Sequence, residues 1–391
     1  MLPASVLTKN ILRFVKRSFM RPIRVFVSLD KRRTPGRKKA LLCYITRPFK
    51  TKRQDRIHSN ISEVRMIARI LEDLGYDVWA VDYYSEYPID YTRYDLIFGF
   101  GRSFSRSFDG PFHGIRILHL TGASPCFSNR AEPLRLLALD QRKEKLLAPR
   151  RIVYEPWMAA AVLSDAVFCL GNHWSLSTYQ GINTNLIRIP VSYVPTHELS
   201  SLAKDYEAGR KRFLWFGSLG AVHKGLDLVL DAIDILGDDY HLDVCGSVES
   251  ETDFFALYRD HLLHRKTISY HGFVDVLSQT MKNILERCNY TILPSCSEGG
   301  GSSVLTCMHG GLIPLVTQES SVDLEDFGIL IDQPTPEAVA DAMRQAAALP
   351  TMTIKSRAQA ASAFVNNKHS AQQVEAAFRA SLSTIIQAKT L

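Results

Sequence analysis

The stretch FLWFGSLGAVHKGLDLVLDAI, residues 213 to 233, changes its period halfway along. Phe213 to Phe216 form a short apolar run that ends at Gly217. After Gly225, the apolar residues Leu226, Val229, Leu230 and Ile233 fall on the spacing of one helix face. A strand, a short loop and a helix make the opening half of a βα unit. Lys224 stands near the predicted helix start, where free amides and the helix dipole favour anions and an ammonium would add a full charge for a phosphate. Taken alone, such a lysine reads better as a solvated helix-start residue.

A second stretch, YTILPSCSEGGGSSVLTCMHGGLIPLV (residues 290 to 316), repeats the design. A strand ends at Pro294, and Glu298 follows in the loop. Gly299, Gly300 and Gly301 then open a helix led by Ser302 and Ser303. Glycines permit close approach to the backbone, and the free amides of a helix start can hold a diphosphate or a sugar hydroxyl. A carboxylate at 298 suits sugar hydroxyls, or in the plainer reading complements the helix dipole.

Outward from these two stretches the alternation continues in both directions. HLDVCGS, ISYHGF and FGILI read as further strands of the same half, with helices near Phe254–Leu263, Leu277–Arg287, Thr335–Leu349 and Ala371–Ala388. Upstream, ALLCYI, DVWAVDY, DLIFGFG, IRILHL, DAVFCLGN and NLIRIPV form an earlier series. A helix over Ile61–Leu74 is introduced there by Asn60 and Glu63, which read as a capping box. Buried strands separated by helices predict two successive parallel α/β domains, with ligands at the C-terminal strand ends. The predicted division is a basic arm at 1–38, an N-terminal Rossmann-like domain at 39–194, a linker with a helix in it at 195–211, a C-terminal Rossmann-like domain at 212–366, and a terminal helix segment at 367–391 that returns to the N-domain.

Charge is concentrated at one end. Residues 1–39 hold twelve Lys/Arg against the single acid Asp30, a surplus of +11, so the remainder carries −4 of the overall +7. A nucleic-acid-binding domain would carry its basic face on the fold itself, so that class is disfavoured. Ile11, Leu12, Phe14, Val15 and Phe19 alternate with basic residues and read either as a membrane-surface stretch or as a tail or first helix packed on the body. RVFVSL (residues 24–29) looks strand-like. Seven cysteines, none in a C-x-x-C pair, read mostly as reduced, buried small hydrophobes. No apolar run is long enough to span a membrane, and no His, Cys or Asp cluster has metal-ligand spacing.

In this order and spacing, the two stretches resemble the C-terminal domain of GT-B glycosyltransferases, in particular the large retaining group called family 4. Its pattern is a strand, G-R-L, a loop, K-G and a helix, then a glycine-ended strand, then E-G-x-G-x-x-x-x-E-A-x-x-x-G-x-P. The matching residues are Gly217 and Leu219, Lys224–Gly225, Gly246, Gly272–Phe273–Val274, Glu298–Gly299, Gly301, Gly311 and Pro314. The resemblance covers roughly residues 210–350 and is only architectural before them. It implies a GT-B fold of two Rossmann-like domains facing across a cleft, a nucleotide-sugar donor (UDP- or GDP-sugar), no prosthetic group and no metal, and a retaining hexosyl-type transfer.

By the same resemblance, Lys224 would meet the donor diphosphate, the backbone at Phe273 and Val274 the nucleobase, and Glu298 the transferred sugar. The amides from Gly299 through Gly300, Gly301 and Ser302 to Ser303 would hold sugar and phosphates. Two positions depart from the pattern. Ser218 replaces the arginine that partners the lysine, and Thr306 replaces a second glutamate that binds ribose; a hydroxyl cannot reproduce a guanidinium's bidentate grip. The basic loop Arg47–Arg56 is one candidate to supply the lost contacts. On the acceptor side the candidates are His58 and Asn60 at a helix start, His119, Thr121 and Gly122 after IRILHL, and Asn172 and His173 after DAVFCL. For His119 and His173 a structural histidine is the slightly better reading.

The expected function is therefore sugar transfer from a nucleotide-sugar to a glycan, glycolipid or related acceptor in polysaccharide biosynthesis. The expected location is cytoplasmic, peripheral at the inner membrane face through residues 1–38, with no nucleic acid partner. The alternative is a GT-B-shaped binding or scaffold protein that has lost part of the donor clamp. A related nucleotide-sugar enzyme such as an epimerase is less well supported, since the carboxylates it needs are not evident.

Overall fold

The computed structural model describes residues 25–27, 36–50 and 59–389. The amphipathic basic stretch and most of the arm, His58, and the Lys52–Arg56 part of the basic loop lie outside these residues. Contacts divide the chain into two compact units. The first takes the described residues up to His119, Glu155–Val167 and the residues from Ser381; the second takes Leu120–Tyr154 and Phe168–Ala380.

The first unit is built on β1 (Val25–Phe26), β2 (Lys38–Tyr44), β3 (Tyr76–Asp82), β4 (Leu96–Gly99) and β5 (Ile115–Leu120). Their order is β1-β3-β2-β4-β5, and the sheet order continues through β6 (Ala166–Leu170) to β7 (Leu186–Ile189). β2 pairs in parallel with β3 from Lys38↔Tyr76 to Tyr44↔Asp82, and with β4 from Ala40↔Leu96 to Cys43↔Gly99. Ala40 to Tyr44 and Leu96 to Phe98 are buried, as strands covered on both faces must be. Within the strand-like run at 24–29, Val25 and Phe26 form β1, which is antiparallel to β3 (Val25↔Ala80) and so departs from the all-parallel expectation.

The second unit holds a sheet of β8 (Arg212–Phe216), β9 (His241–Cys245), β10 (Ile268–Gly272), β11 (Tyr290–Leu293), β12 (Ile313–Val316) and β13 (Ile329–Leu330). The order is β10-β9-β8-β11-β12-β13, with every pair parallel. This is the doubly wound arrangement, and the direction of winding reverses between β8 and β11. The helix Leu226–Leu236 is buried along its first eight residues. That is why its leucines and valine crowd the sequence almost without interruption.

Several expected elements changed on folding. The helix expected near 254–263 is two short ones, Thr252–Leu257 and Arg259–His264. In place of a linker helix there is a 3-10 turn, Leu199–Ser201, followed by hydrogen-bonded turns over residues 206–211. An 18-residue helix, Thr351–Lys368, was not anticipated at all. Its buried residues are Ile354, Ala358, Ala361, Ser362 and Val365, three of the five small. The small side chains let it press against the helix Ser302–His309, where Ser362 Oγ donates to His309 O at 3.1 Å. Six of the seven cysteines are buried, as read from the sequence, and Cys126 is exposed.

Candidate active site

β8 and β11 lie side by side (Tyr290↔Phe213, Thr291↔Leu214), so the loops after them share the crevice at the winding reversal. The first loop is held rigidly. Gly217 N donates to Cys245 O at 3.0 Å, and the amides of Gly220 and Ala221 donate to the buried Glu251 carboxylate at 2.6 and 3.1 Å. Trp215 Nε1 donates to Lys224 O at 3.2 Å. Gly225 has φ +69°, and a Cβ there would stand 2.4 Å from Pro294 O. Only glycine lets the helix start press against the end of β11.

Lys224 is therefore aimed across the crevice, where its ammonium donates to Glu298 Oε1 as a buried ion pair. Ser295 Oγ donates to the same oxygen at 3.0 Å. Burial by itself would raise the Glu298 carboxyl. Lys224, His223 and Arg151 outweigh it and hold the group well below the usual carboxylate range. The two residues assigned to phosphate and sugar thus meet each other, in one charged cluster.

The histidine preceding the lysine escaped the sequence reading. His223 is 3% exposed; its Nε2 lies 2.5 Å from Ser297 O, and its Nδ1 lies 3.5 Å from Cys296 Sγ. A carbonyl can only accept, so Nε2 carries the proton in the neutral ring. Burial lowers its pKa to about 4, with Lys224 and Arg151 pushing the same way and Glu298 opposing. The unfolded ring titrates near ~6.5, so between pH 6.5 and 4 the unfolded chain binds more protons and stability falls as the solution is acidified. His223→Gln keeps an amide donor without the titration. We expect it to remove about 3 kcal/mol of the stability lost over that window, read as a flatter plot of Tm against pH.

The glycine triplet follows Glu298. Gly301 (φ +52°) caps the helix Ser302–His309. Among the described residues, the amides of Gly299, Gly300, Gly301, Ser302 and Ser303 donate to no protein acceptor. Ser302 Oγ donates to Ser192 O at 2.9 Å. The space beside all three glycines belongs to the chain itself. A Cβ at Gly299 would stand 2.1 Å from Thr121 O, and one at Gly300 would stand 2.6 Å from Val191 Cγ2. Thr306 is 2% exposed; its hydroxyl donates to Ser302 O at 2.8 Å and accepts from Val194 N at 3.1 Å. At the position where the resemblance puts a ribose carboxylate, a hydroxyl pins the segment leaving β7.

The remaining candidates separate. Ser218 and Phe273 are exposed at the ends of β8 and β10, while Val274 packs into the core with Leu214 and Met281. Gly217 is a packing glycine, because a Cβ would stand 2.4 Å from the Trp215 ring. Thr121 is exposed, and Gly122, whose carbonyl accepts from Tyr179 Oη at 2.8 Å, lies against Gly299. Asn172 caps the helix His173–Ser177, accepting from Trp174 N at 3.0 Å and from Ser321 Oγ at 2.9 Å, while His173 is exposed.

In the first unit, His119 is fully buried, with Nε2 2.7 Å from Glu63 Oε1 and its ring beside Phe98 and Tyr44. Tyr44 Oη donates to the same oxygen at 3.1 Å. The Glu63 carboxylate therefore serves the strand ends and does not reach back to a cap. Its helix begins at Ser59, which leaves Asn60 inside the first turn.

Two sheets, parallel apart from the edge strand β1, the second in doubly wound order with its charged cluster at the winding reversal, define the GT-B fold, and solved structures of glycosyltransferases share it. Sucrose-phosphate synthase from Thermosynechococcus elongatus superposes with a TM-score of 0.62 at 12% identity, over 90% of this chain and 100% of that one. HepE of Anabaena, solved in complex with UDP-glucose, gives 0.57 at 13% identity, over 89% and 100%. WaaG, a glycosyltransferase involved in lipopolysaccharide biosynthesis, gives 0.55 at 13% identity, over 87% and 98%. At the level of sequence, residues 210–348 match the family described as glycosyl transferases group 1. No curated protein matches the chain significantly.

Proposed function

We propose that this chain is a glycosyltransferase that moves a sugar from a UDP- or GDP-sugar to a glycan, glycolipid or related acceptor, with retention and without a metal. One observation carries the reading. The Lys224–Glu298 pair and the unengaged amides from Gly299 to Ser303 stand together at the reversal point of a doubly wound sheet. In such sheets, nucleotide ligands bind at that crevice.

In this reading Lys224 and the helix-start amides stabilise charge developing on the leaving diphosphate, and each donor contributes on the order of 3 kcal/mol to the transition state. Glu298 orients sugar hydroxyls and is not a covalent nucleophile. The basic residues of 1–38 would bring the enzyme to the cytoplasmic face of a membrane where a lipid-linked acceptor resides.

The test is a melting-temperature screen against UDP, GDP and their sugars, followed by product analysis with the donor that binds. A bound donor raises Tm by mass action. A rise with a nucleoside diphosphate, and an α-linked product from an α-linked donor in the presence of EDTA, are expected. No shift with any of them would remove the reading and favour a scaffold, for which Thr306's structural engagement is the supporting feature.

A further inference from the structure

The donor loop Gly217–Gly225 contains one cation, Lys224, because the buried His223 is neutral at pH 7. A nucleoside diphosphate carries two to three negative charges, and Lys224 is already shared with Glu298. A second cation stands on the same loop from elsewhere in the second unit. A Cβ at Gly220 would lie 2.9 Å from Arg151 Cγ and 3.3 Å from Cδ, so the aliphatic stem of Arg151 lies on the backbone of the donor loop.

The segment that carries Arg151 is fastened at several points. The buried Glu132 carboxylate accepts from the amides of Arg150 and Arg151 at 2.9 and 2.8 Å. Asn129 and Val153 exchange two hydrogen bonds of 2.8 Å. Arg150 pairs with Asp253 and lies 3.8 Å from Glu251, the carboxylate that also holds Gly220 and Ala221. The neighbour is thus spent on structure. Arg151 itself is exposed and, among the described residues, forms no ion pair, yet its charge reaches Glu298 and His223.

Resting on the function proposed above, we propose that Arg151 is a donor-binding residue, the second cation of the diphosphate site, delivered beside Lys224 by the segment that follows the helix Pro125–Lys143. The glycine at 220 is then the slot for its stem, and Ser218, on the same loop, is relieved of carrying a charge.

The experiment is calorimetric titration of the full chain with UDP and GDP, and with uridine and guanosine as phosphate-free probes. Arg151→Gln keeps most of the stem and all of the backbone bonds. It is expected to raise the Kd of the bound diphosphate by roughly tenfold to a hundredfold, to leave nucleoside binding within twofold, and to reduce the salt dependence of diphosphate binding. Arg151→Lys, which keeps charge without the fork, should fall between the two. An unliganded Tm equal to that of the parent verifies folding of both variants. A diphosphate Kd unchanged by Arg151→Gln overturns this assignment and leaves the proposed function standing. A parent protein that binds neither UDP nor GDP overturns both.

Discussion

Lys224→Met is expected to lower sugar transfer by two to three orders of magnitude and to destabilise the fold in the same stroke. The kinetic part follows from charge. A donor aimed at a developing oxyanion is worth on the order of 3–4 kcal/mol in a water-poor site. The stability part follows from Glu298, whose carboxylate is paired with the lysine and only 12% exposed. Removing one partner of a buried pair strands the other and costs about 3–5 kcal/mol. Glu298 would respond by taking up a proton. Because its folded pKa lies below the unfolded value of ~4.3, its contribution is complete above that pH and disappears as pH falls through the folded value. Pairing Lys224→Met with Glu298→Gln removes both charges. The double variant should regain much of the stability of the single one and none of its turnover, giving a coupling energy well above the few tenths expected of independent sites. Urea unfolding of the four proteins and transfer assays decide it. A single variant that unfolds at the parental midpoint and turns over at the parental rate would show the pair to be incidental.

What could be read from the sequence tracks how locally each feature is determined. Strand, loop, helix start and lysine at 213–225 are set by neighbours in the chain: an apolar run, three glycines and a change of period. Both loops of the crevice were therefore visible before any tertiary contact was known. The order of the second sheet follows from alternation of strands and helices with right-handed crossovers, which leaves few ways to wind six parallel strands. The helix Thr351–Lys368 stayed hidden because Ala358, Ala361 and Ser362 supply most of its buried stripe, and such small residues scarcely mark a face.

Side-chain partners were less accessible, since they depend on distant segments. The sequence pairs Glu63 with Asn60, three residues away, whereas the fold offers it Tyr44 and His119, and a buried hydrogen-bonded site outcompetes a solvated cap. Lys224 and Glu298 read as separate ligands for phosphate and sugar, but the fold brings them together across a sequence separation of 74. Arg151 carries no local signal at all: it is one arginine of a pair, and only the partners of Arg150 show which of the two is left to act. His223 could have been found, since a histidine adjoining a phosphate-site lysine cannot comfortably share that lysine's charge and is bound to be neutral or displaced.

Gly299→Ala is expected to be among the most damaging single-methyl changes in the second unit. Its φ lies outside the left-handed region, so the backbone conformation itself would accept alanine. The obstacle is that a Cβ would stand 2.1 Å from Thr121 O and 2.7 Å from Gly122 Cα, both backbone atoms. Neither can rotate away. Gly122 is held through its carbonyl by Tyr179, and Ser124 donates to Thr178 Oγ1 two residues on. The strain must be relieved by shifting a whole segment, which places the cost at or beyond the upper end of overpacking, about 3 kcal/mol or more. Two other glycines calibrate the number. Gly110 has open space and an ordinary φ, so Gly110→Ala should stay within roughly 0.5 kcal/mol of the parent. Gly272 has open space but φ +63°, so Gly272→Ala isolates conformational strain, roughly 1–2 kcal/mol. Chemical denaturation should rank the losses Gly299, Gly272, Gly110. Because moving the 121–122 segment or the 299–301 loop displaces the amides beside Glu298, the Gly299 variant should also lose nucleoside diphosphate affinity at temperatures where it remains folded. If it matched the Gly110 variant in both measurements, the close contact between the two loops would not exist in solution, and neither would the site built on it.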